Sequence, residues 1–188
     1  RHSTSSQRSV RKRMPAVLFD SVNSYYAGIA RLALAERGIL FRSHYISMPN
    51  LEQLAPWYMR INPLGQVPAL QTESGQIVND SRNIVDWAYG TDESADEREV
   101  LDQLYSEDPG SLAWLSGEAK IPLLWIVVNS PAKKIFLPRA IRKHQVENPD
   151  LHEVYAKKLA AISKKHFTKR IEVVQGNVQR TVDWLERR

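Results

Sequence analysis

The chain of 188 residues contains no cysteine, which excludes disulfides, thiolate metal sites and a cysteine nucleophile. That leaves its redox compartment open and fits a protein that handles thiols without offering its own. Histidines are few and scattered. His144 and His152 flank a helix start, His166 stands alone, and no HExxH pair occurs, so no metal is expected. P-loop, GxGxxG and GxSxG words are missing as well. The longest apolar run, Ile121 to Val128, contains Pro122 and falls short of the roughly 20 residues that a bilayer-spanning helix needs. No segment of this chain reads as a membrane span.

Acidic residues are absent from the first thirteen positions, which hold Arg1, Arg8, Arg11, Lys12 and Arg13. Such a Ser/Arg-rich stretch has the composition of an organelle transit segment or of a disordered tail, so residues 1–14 are set apart, and Met14-Pro15 makes a natural start for the folded part. The expected compartment is cytoplasmic or organellar, the mitochondrion included, and not the secreted space. Those five cations equal the formal net charge of +5, so the remaining 21 basic and 21 acidic residues balance. Their distribution is uneven. Residues 14–118 carry 6 basic and 15 acidic groups, and residues 119–188 carry 15 and 6. Halves of opposite charge favour docking onto each other, within the chain or between subunits. Charged helix faces of the C-terminal kind are mostly solvated surfaces, so no nucleic-acid partner is expected.

With 43% apolar content the chain can bury a core in one or two small domains. Ala16 to Phe19 reads as a short buried strand, and Ser24 to Arg37 as a helix with Ile29, Ala30, Leu32 and Ala33 on one face, stopped by Gly38. Ile39 to Met48 suits a second strand, and Asn50 can cap a helical segment over 51–61, bent or restarted at Pro56. Val67 to Leu70 is a third strand with Pro68 at its start, where an X-Pro bond in a tight turn is a candidate cis peptide. Thr72 to Gly75 reads as a hairpin loop into Gln76-Ile77-Val78; Asp80 or Ser81 can then N-cap a helix over 82–89 that Gly90 closes. The order β-α-β-α-β-β-α over residues 15–90 builds a four-stranded mixed sheet with helices on both faces, a thioredoxin-like arrangement. An acidic linker follows over 91–98, and then an all-helical region over 99–188, with helices expected at 96–106, 111–129 and 149–165. Only Trp125 to Val128 is ambiguous with a strand. Ile171, Val174, Val178, Val182 and Leu185 form a final amphipathic stripe of the kind that usually packs into a core.

A thioredoxin-like domain joined to a helical one, with Asn62-Pro63, Gln66-Val67-Pro68, Asp80-Ser81 and Ala30-Arg31-Leu32, resembles the glutathione S-transferases. The phrases Pro56 to Asn62, Glu147 to Ala156 and Trp184 to Arg188 are similar to the ganglioside-induced differentiation-associated branch, with tetrachlorohydroquinone-dehalogenase-like and β-etherase-like transferases as near neighbours. Relatives continue past the equivalent of Arg188 into further helices. The resemblance therefore implies a truncated helical domain, either a fragment or one whose missing core a partner supplies.

A tripeptide with two carboxylates and a thiol needs an extended backbone partner, an anion site and a donor for its sulfur. Val67, held by the bend at Pro68, can offer its N–H and C=O to the cysteinyl backbone. By the resemblance, Asp80 and Ser81 hold the γ-glutamyl ammonium and carboxylate, the latter at a helix N-terminus, and Gln66 is a weaker candidate for the same peptide. Ser24 matches the family's serine after strand one, and its hydroxyl can donate to the sulfur of glutathione as co-substrate. It is also a good N-cap, so the residue has a structural reading as well. Arg31 reads as a structural charge. Tyr26 stands where the dehalogenase-like relatives have a cysteine, so their thiol-disulfide step is not available. Two readings of different class follow. One is a glutathione S-transferase, a homodimer, whose thiolate attacks a small electrophilic substrate; the other is a catalytically inactive transferase-fold subunit or scaffold held by other protein subunits in a larger complex.

Overall fold

A computed structural model describes residues 15–22, 24–90, 94–106, 131–164 and 171–187. Strand β1 (Ala16–Asp20) leads into helix α1 (Tyr25–Glu36), strand β2 (Phe41–Tyr45), a 3-10 turn (Glu52–Leu54) and helix α2 (Pro56–Ile61). Strands β3 (Ala69–Gln71) and β4 (Ile77–Asn79) and helix α3 (Ser81–Tyr89) complete this part. The sheet runs β2-β1-β3-β4, with β1 parallel to β2 and antiparallel to β3, and β3 antiparallel to β4. This is the expected thioredoxin-like arrangement, and it follows from the twofold alternation of β1. Ala16 and Leu18 pack with Ala30, Leu34, Leu70, Val78 and Ile84 beneath α1 and α3, whereas Phe19 packs with Ile46, Tyr58 and Ala69 on the α2 side.

Several local features differ from expectation. Helix α1 buries Ala27, Ala30, Ala33 and Leu34, while Leu32, expected on the inner face, is 69% exposed. Alanines at the contact let α1 lie close to the sheet, and the buried stripe is set by Ala27, Ala30 and Leu34 at three- and four-residue spacing. Strand β2 is shorter than 39–48 because it is an edge: Arg42, Ser43, His44 and Tyr45 are all exposed, and pairing stops where Ile46 turns inward. Asn50 does not cap the next segment. Ala55 precedes proline and is extended (φ −62°, ψ 142°), so no helix can run through it; Glu52 instead accepts the Ser47 N–H at 2.7 Å.

Helix α4 (Ala95–Ser106) starts inside the stretch expected to be linker, capped reciprocally by Ser94 and Glu97. Helix α5 (Pro131–Glu147) is not legible in the sequence as one element because Pro138 interrupts its interior. A 3-10 turn (Pro149–Leu151) and helix α6 (His152–Lys164) occupy the expected 149–165, and helix α7 (Ile171–Glu186) ends the described chain. Along α7, Val182 and Leu185 are 39% and 55% exposed, so that end of the stripe is not core. The expected helix over 111–129 and the ambiguous Trp125 to Val128 lie outside the described residues.

The two parts share one apolar cluster: Leu54 and Met59 from the first, Leu137, Ile141, Leu151 and Tyr155 from the second. The buried Tyr155 hydroxyl donates to the Leu54 carbonyl at 2.8 Å. Arg60 pairs with Asp150 at 2.9 Å across the same seam. That pair opposes the net charges of the two halves, since the cation comes from the acidic half. Apolar burial dominates this junction, and the exposed ion pair adds little. No helix among the described residues is long and apolar enough to cross a membrane.

Candidate active site

Register brings the candidate residues together. Phe19 of β1 faces Ala69 of β3, which faces Asn79 of β4, so one row crosses three strands. Because β3 runs against both neighbours, its entry (Val67-Pro68) lies beside the exits of β1 and β4. The β1 exit leads to Ser24 and the β4 exit to Asp80-Ser81. Three stretches distant in sequence thus meet at one end of the sheet, where β1 and β4 finish and β3 begins.

Ser24 is the N-cap of α1. Its hydroxyl accepts from the Ala27 N–H at 3.3 Å, and its own N–H closes a turn onto the Ser21 carbonyl at 2.8 Å. Accepting through a lone pair leaves the hydroxyl proton free to point elsewhere. The turn is strapped by Arg31, whose Nη1 lies 2.6 Å from both oxygens of the buried Asp20 carboxylate. Arg31 is therefore structural, as expected of it, and it fixes the path from β1 to α1. Tyr25 and Tyr26 follow directly, their rings edge to face at 5.8 Å.

The Val67–Pro68 peptide is cis. The loop before it is tied by groups that sequence reasoning misses. Asn62, almost fully buried, donates through Nδ2 to the Gln66 carbonyl at 2.8 Å, accepts from the Leu64 N–H on Oδ1, and accepts from the Gly65 N–H on its own carbonyl. Tyr58 donates to the same Gln66 carbonyl at 2.6 Å, and burial pushes its phenol well above the usual tyrosine range. Only Asn62-Pro63 carries a sequence signal for this, as an Asx turn ahead of a glycine. The Gln66 side chain is exposed, Val67 half-buried and Pro68 buried.

Asp80 caps α3, its carboxylate accepting from the Arg82 N–H at 2.9 Å with φ at +77°. Ser81 is the first helical residue and only 2% exposed. Its Oγ accepts from the Tyr105 hydroxyl of α4 at 3.0 Å, and burial raises the Tyr105 phenol, which keeps it a donor at neutral pH. Arg82 lies over the Tyr105 ring at 5.4 Å and pairs with Asp86 and Asp102. Helix α4 therefore latches onto the start of α3. Nothing in the acidic stretch around α4 marks Tyr105 for that part. Among the described residues, no three histidine or acidic side chains converge as a metal site requires.

Comparison with known proteins agrees with this geometry. The family model for the glutathione S-transferase N-terminal domain matches residues 23–90. The human ganglioside-induced differentiation-associated protein 1-like 1 is 31% identical over 75 residues, which are 40% of this chain and span 20% of the length of that protein. Among solved structures, β-etherase LigF from Sphingobium sp. strain SYK-6 superposes with a TM-score of 0.56 at 18% identity, covering 93% of this chain and 72% of that one. Glutathione transferase URE2P6 from Phanerochaete chrysosporium, in complex with oxidized glutathione, gives 0.50 at 22% identity, covering 85% and 70%. The sheet order, the cis-proline loop and the capped α3 all lie in the segment the family model matches or at its edge, and it is this segment, residues 23–90, that is similar to the glutathione S-transferase N-terminal domain.

Proposed function

We propose that this protein binds glutathione at the end of the sheet where β3 begins and presents its thiolate to an electrophilic carbon. The carrying observation is the row Phe19–Ala69–Asn79, which gathers a backbone edge, a helix N-terminus and a hydroxyl at one place. In this reading Val67 pairs with the cysteinyl backbone in a β-like ladder, and Gln66 flanks the same peptide. Asp80 takes the γ-glutamyl ammonium. The Ser81 hydroxyl, oriented by Tyr105, donates to the carboxylate beside the free N–H groups of the first turn of α3. Ser24 donates to the sulfur, and the N-terminus of α1 favours the negative charge. Lowering a thiol pKa from about 8.5 by two units takes roughly 2.7 kcal/mol, within reach of one charge-assisted hydrogen bond and a helix terminus. Sulfur then attacks, the leaving group departs with its electron pair, and the protein supplies activation and placement.

The test is retention on immobilised glutathione and turnover of a chlorinated nitroaromatic. Ser24→Ala should lower kcat/KM at pH 7 by about 3-fold to at most about 25-fold, the change in thiolate fraction for a pKa rise of about one to two units, since the helix terminus remains. Unchanged turnover would sink the assignment. One observation favours a second reading, a catalytically silent subunit: Ser24 and Ser81 each have a structural partner without any ligand. Failure to bind glutathione in a folded preparation, with co-purification in a larger complex, would select it.

A further inference from the structure

The three carbonyls just ahead of Val67 are all held, but from different parts of the chain. Gln66 is held locally, by Tyr58 and Asn62. The Leu64 and Gly65 carbonyls are held by a single ammonium, Lys158 Nζ, which reaches them from α6 across about ninety residues of sequence, lying 3.3 Å from the Gly65 oxygen. A lysine ammonium has three donors and no acceptor, so one head group can fix two neighbouring peptide planes. The Leu64 and Gly65 carbonyls belong to the two successive peptides that lead into Gln66, so one cation fixes the tilt of both and with it the direction from which the chain enters the Gln66–Val67 peptide, whose own carbonyl Tyr58 and Asn62 hold.

We propose that Lys158 is a positioning residue for glutathione: it sets the Val67 backbone from the helical half, so that affinity for the peptide depends on a side chain that does not touch it. This rests on the glutathione reading above. Two other contacts described across the same seam lie away from the loop. Arg60 meets Asp150 at the start of α6, and Tyr155 bonds the Leu54 carbonyl, which lies ahead of α2 rather than after it.

The experiment measures glutathione affinity by calorimetry, and turnover with saturating glutathione, for the full chain and three variants. Lys158→Met keeps the aliphatic stem and removes the donors; Kd should rise about tenfold, as for one lost charge-assisted hydrogen bond, with kcat unchanged. Lys158→Arg should restore affinity to within about threefold, since guanidinium can donate to both carbonyls. Asp150→Asn opens the seam's ion pair and should leave Kd unaltered. Equal affinity in Lys158→Met would overturn the proposal, as would an equal loss in Asp150→Asn, which would assign the effect to docking of the two halves. A wild-type chain that does not bind glutathione refutes the underlying reading and the proposal with it; a wild type that binds while Lys158→Met binds equally refutes the proposal alone.

Discussion

Replacing Gly65 by alanine tests whether the loop before Val67 is as tightly built as its contacts imply. Gly65 has φ +55°, and a Cβ there would meet the Met59 Sδ at 2.9 Å, the Gln53 carbonyl oxygen at 3.1 Å and the Leu54 Cδ2 at 3.1 Å. The left-handed backbone alone costs an L-residue about 1 kcal/mol. Overpacking adds about 1–3 kcal/mol, and the upper part of that range applies because Met59 is fully buried and the Gln53 oxygen is main chain. Together Gly65→Ala should lose about 3–4 kcal/mol, a large share of a typical domain's stability of about 5–15 kcal/mol. Gly75 supplies the control. It has φ +86° with nothing within 4 Å of the place a methyl would take, so Gly75→Ala should lose only the backbone part, about 1 kcal/mol. In urea, with a slope of about 2 kcal/mol per molar, the midpoint should fall by about 1.5–2 M for Gly65→Ala and about 0.5 M for Gly75→Ala. Equal shifts in the two variants would refute the packing account of the loop.

Alkaline pH offers a second handle. Burial holds the phenols of Tyr155 and Tyr89 up at about 12, the latter helped by its hydrogen bond to Glu36. Their unfolded value is about 10, so the stability they hold is fully present below pH 10 and lost as pH rises through 12. Urea midpoints should be flat from about pH 7 to 9 and fall steeply above 10, with a smaller fall in Tyr155→Phe; an unchanged alkaline limb in that variant would contradict the burial of its hydroxyl. Removing the cation from Asp20 leaves a carboxylate uncompensated in the core. Arg31→Met should cost about 2–3 kcal/mol, below the value for a fully buried pair because Arg31 is 35% exposed, and Asp20→Asn/Arg31→Met should recover much of it. A melting temperature unmoved by Arg31→Met would show that the pair carries no structural charge balance.

Those features that depend on local chemistry are legible in the residues. Pro68 after Val67, the Asp80 cap, Gly90 at the end of α3 and the alternation in β1 each have a local cause, and each stands where that cause puts it. What escapes needs a partner distant in sequence. Leu32 is as apolar as any residue of α1, yet the alanine face is the one that fits against the sheet. Helix α5 is hidden by Pro138, since its buried residues Leu137 and Ile141 count only once α6 lies beside them. Tyr105 on Ser81 and Lys158 on the Gly65 carbonyl join residues 24 and 93 positions apart, and no periodicity within either segment announces such a contact. Fold is therefore more readable than site: periodicity reports which face is buried, but not which hydroxyl or ammonium closes a loop.

The cluster of Leu54, Met59, Leu137, Ile141, Leu151 and Tyr155 bears on how this chain can be cut. The family match ends at residue 90, yet the folding unit does not end there. A piece severed at that point would carry Leu54 and Met59 into water and leave the Leu54 carbonyl without its phenol, so ancestry and cooperativity draw their borders at different residues. Dissecting the protein at residue 90 would yield not a smaller folded domain but a sticky fragment.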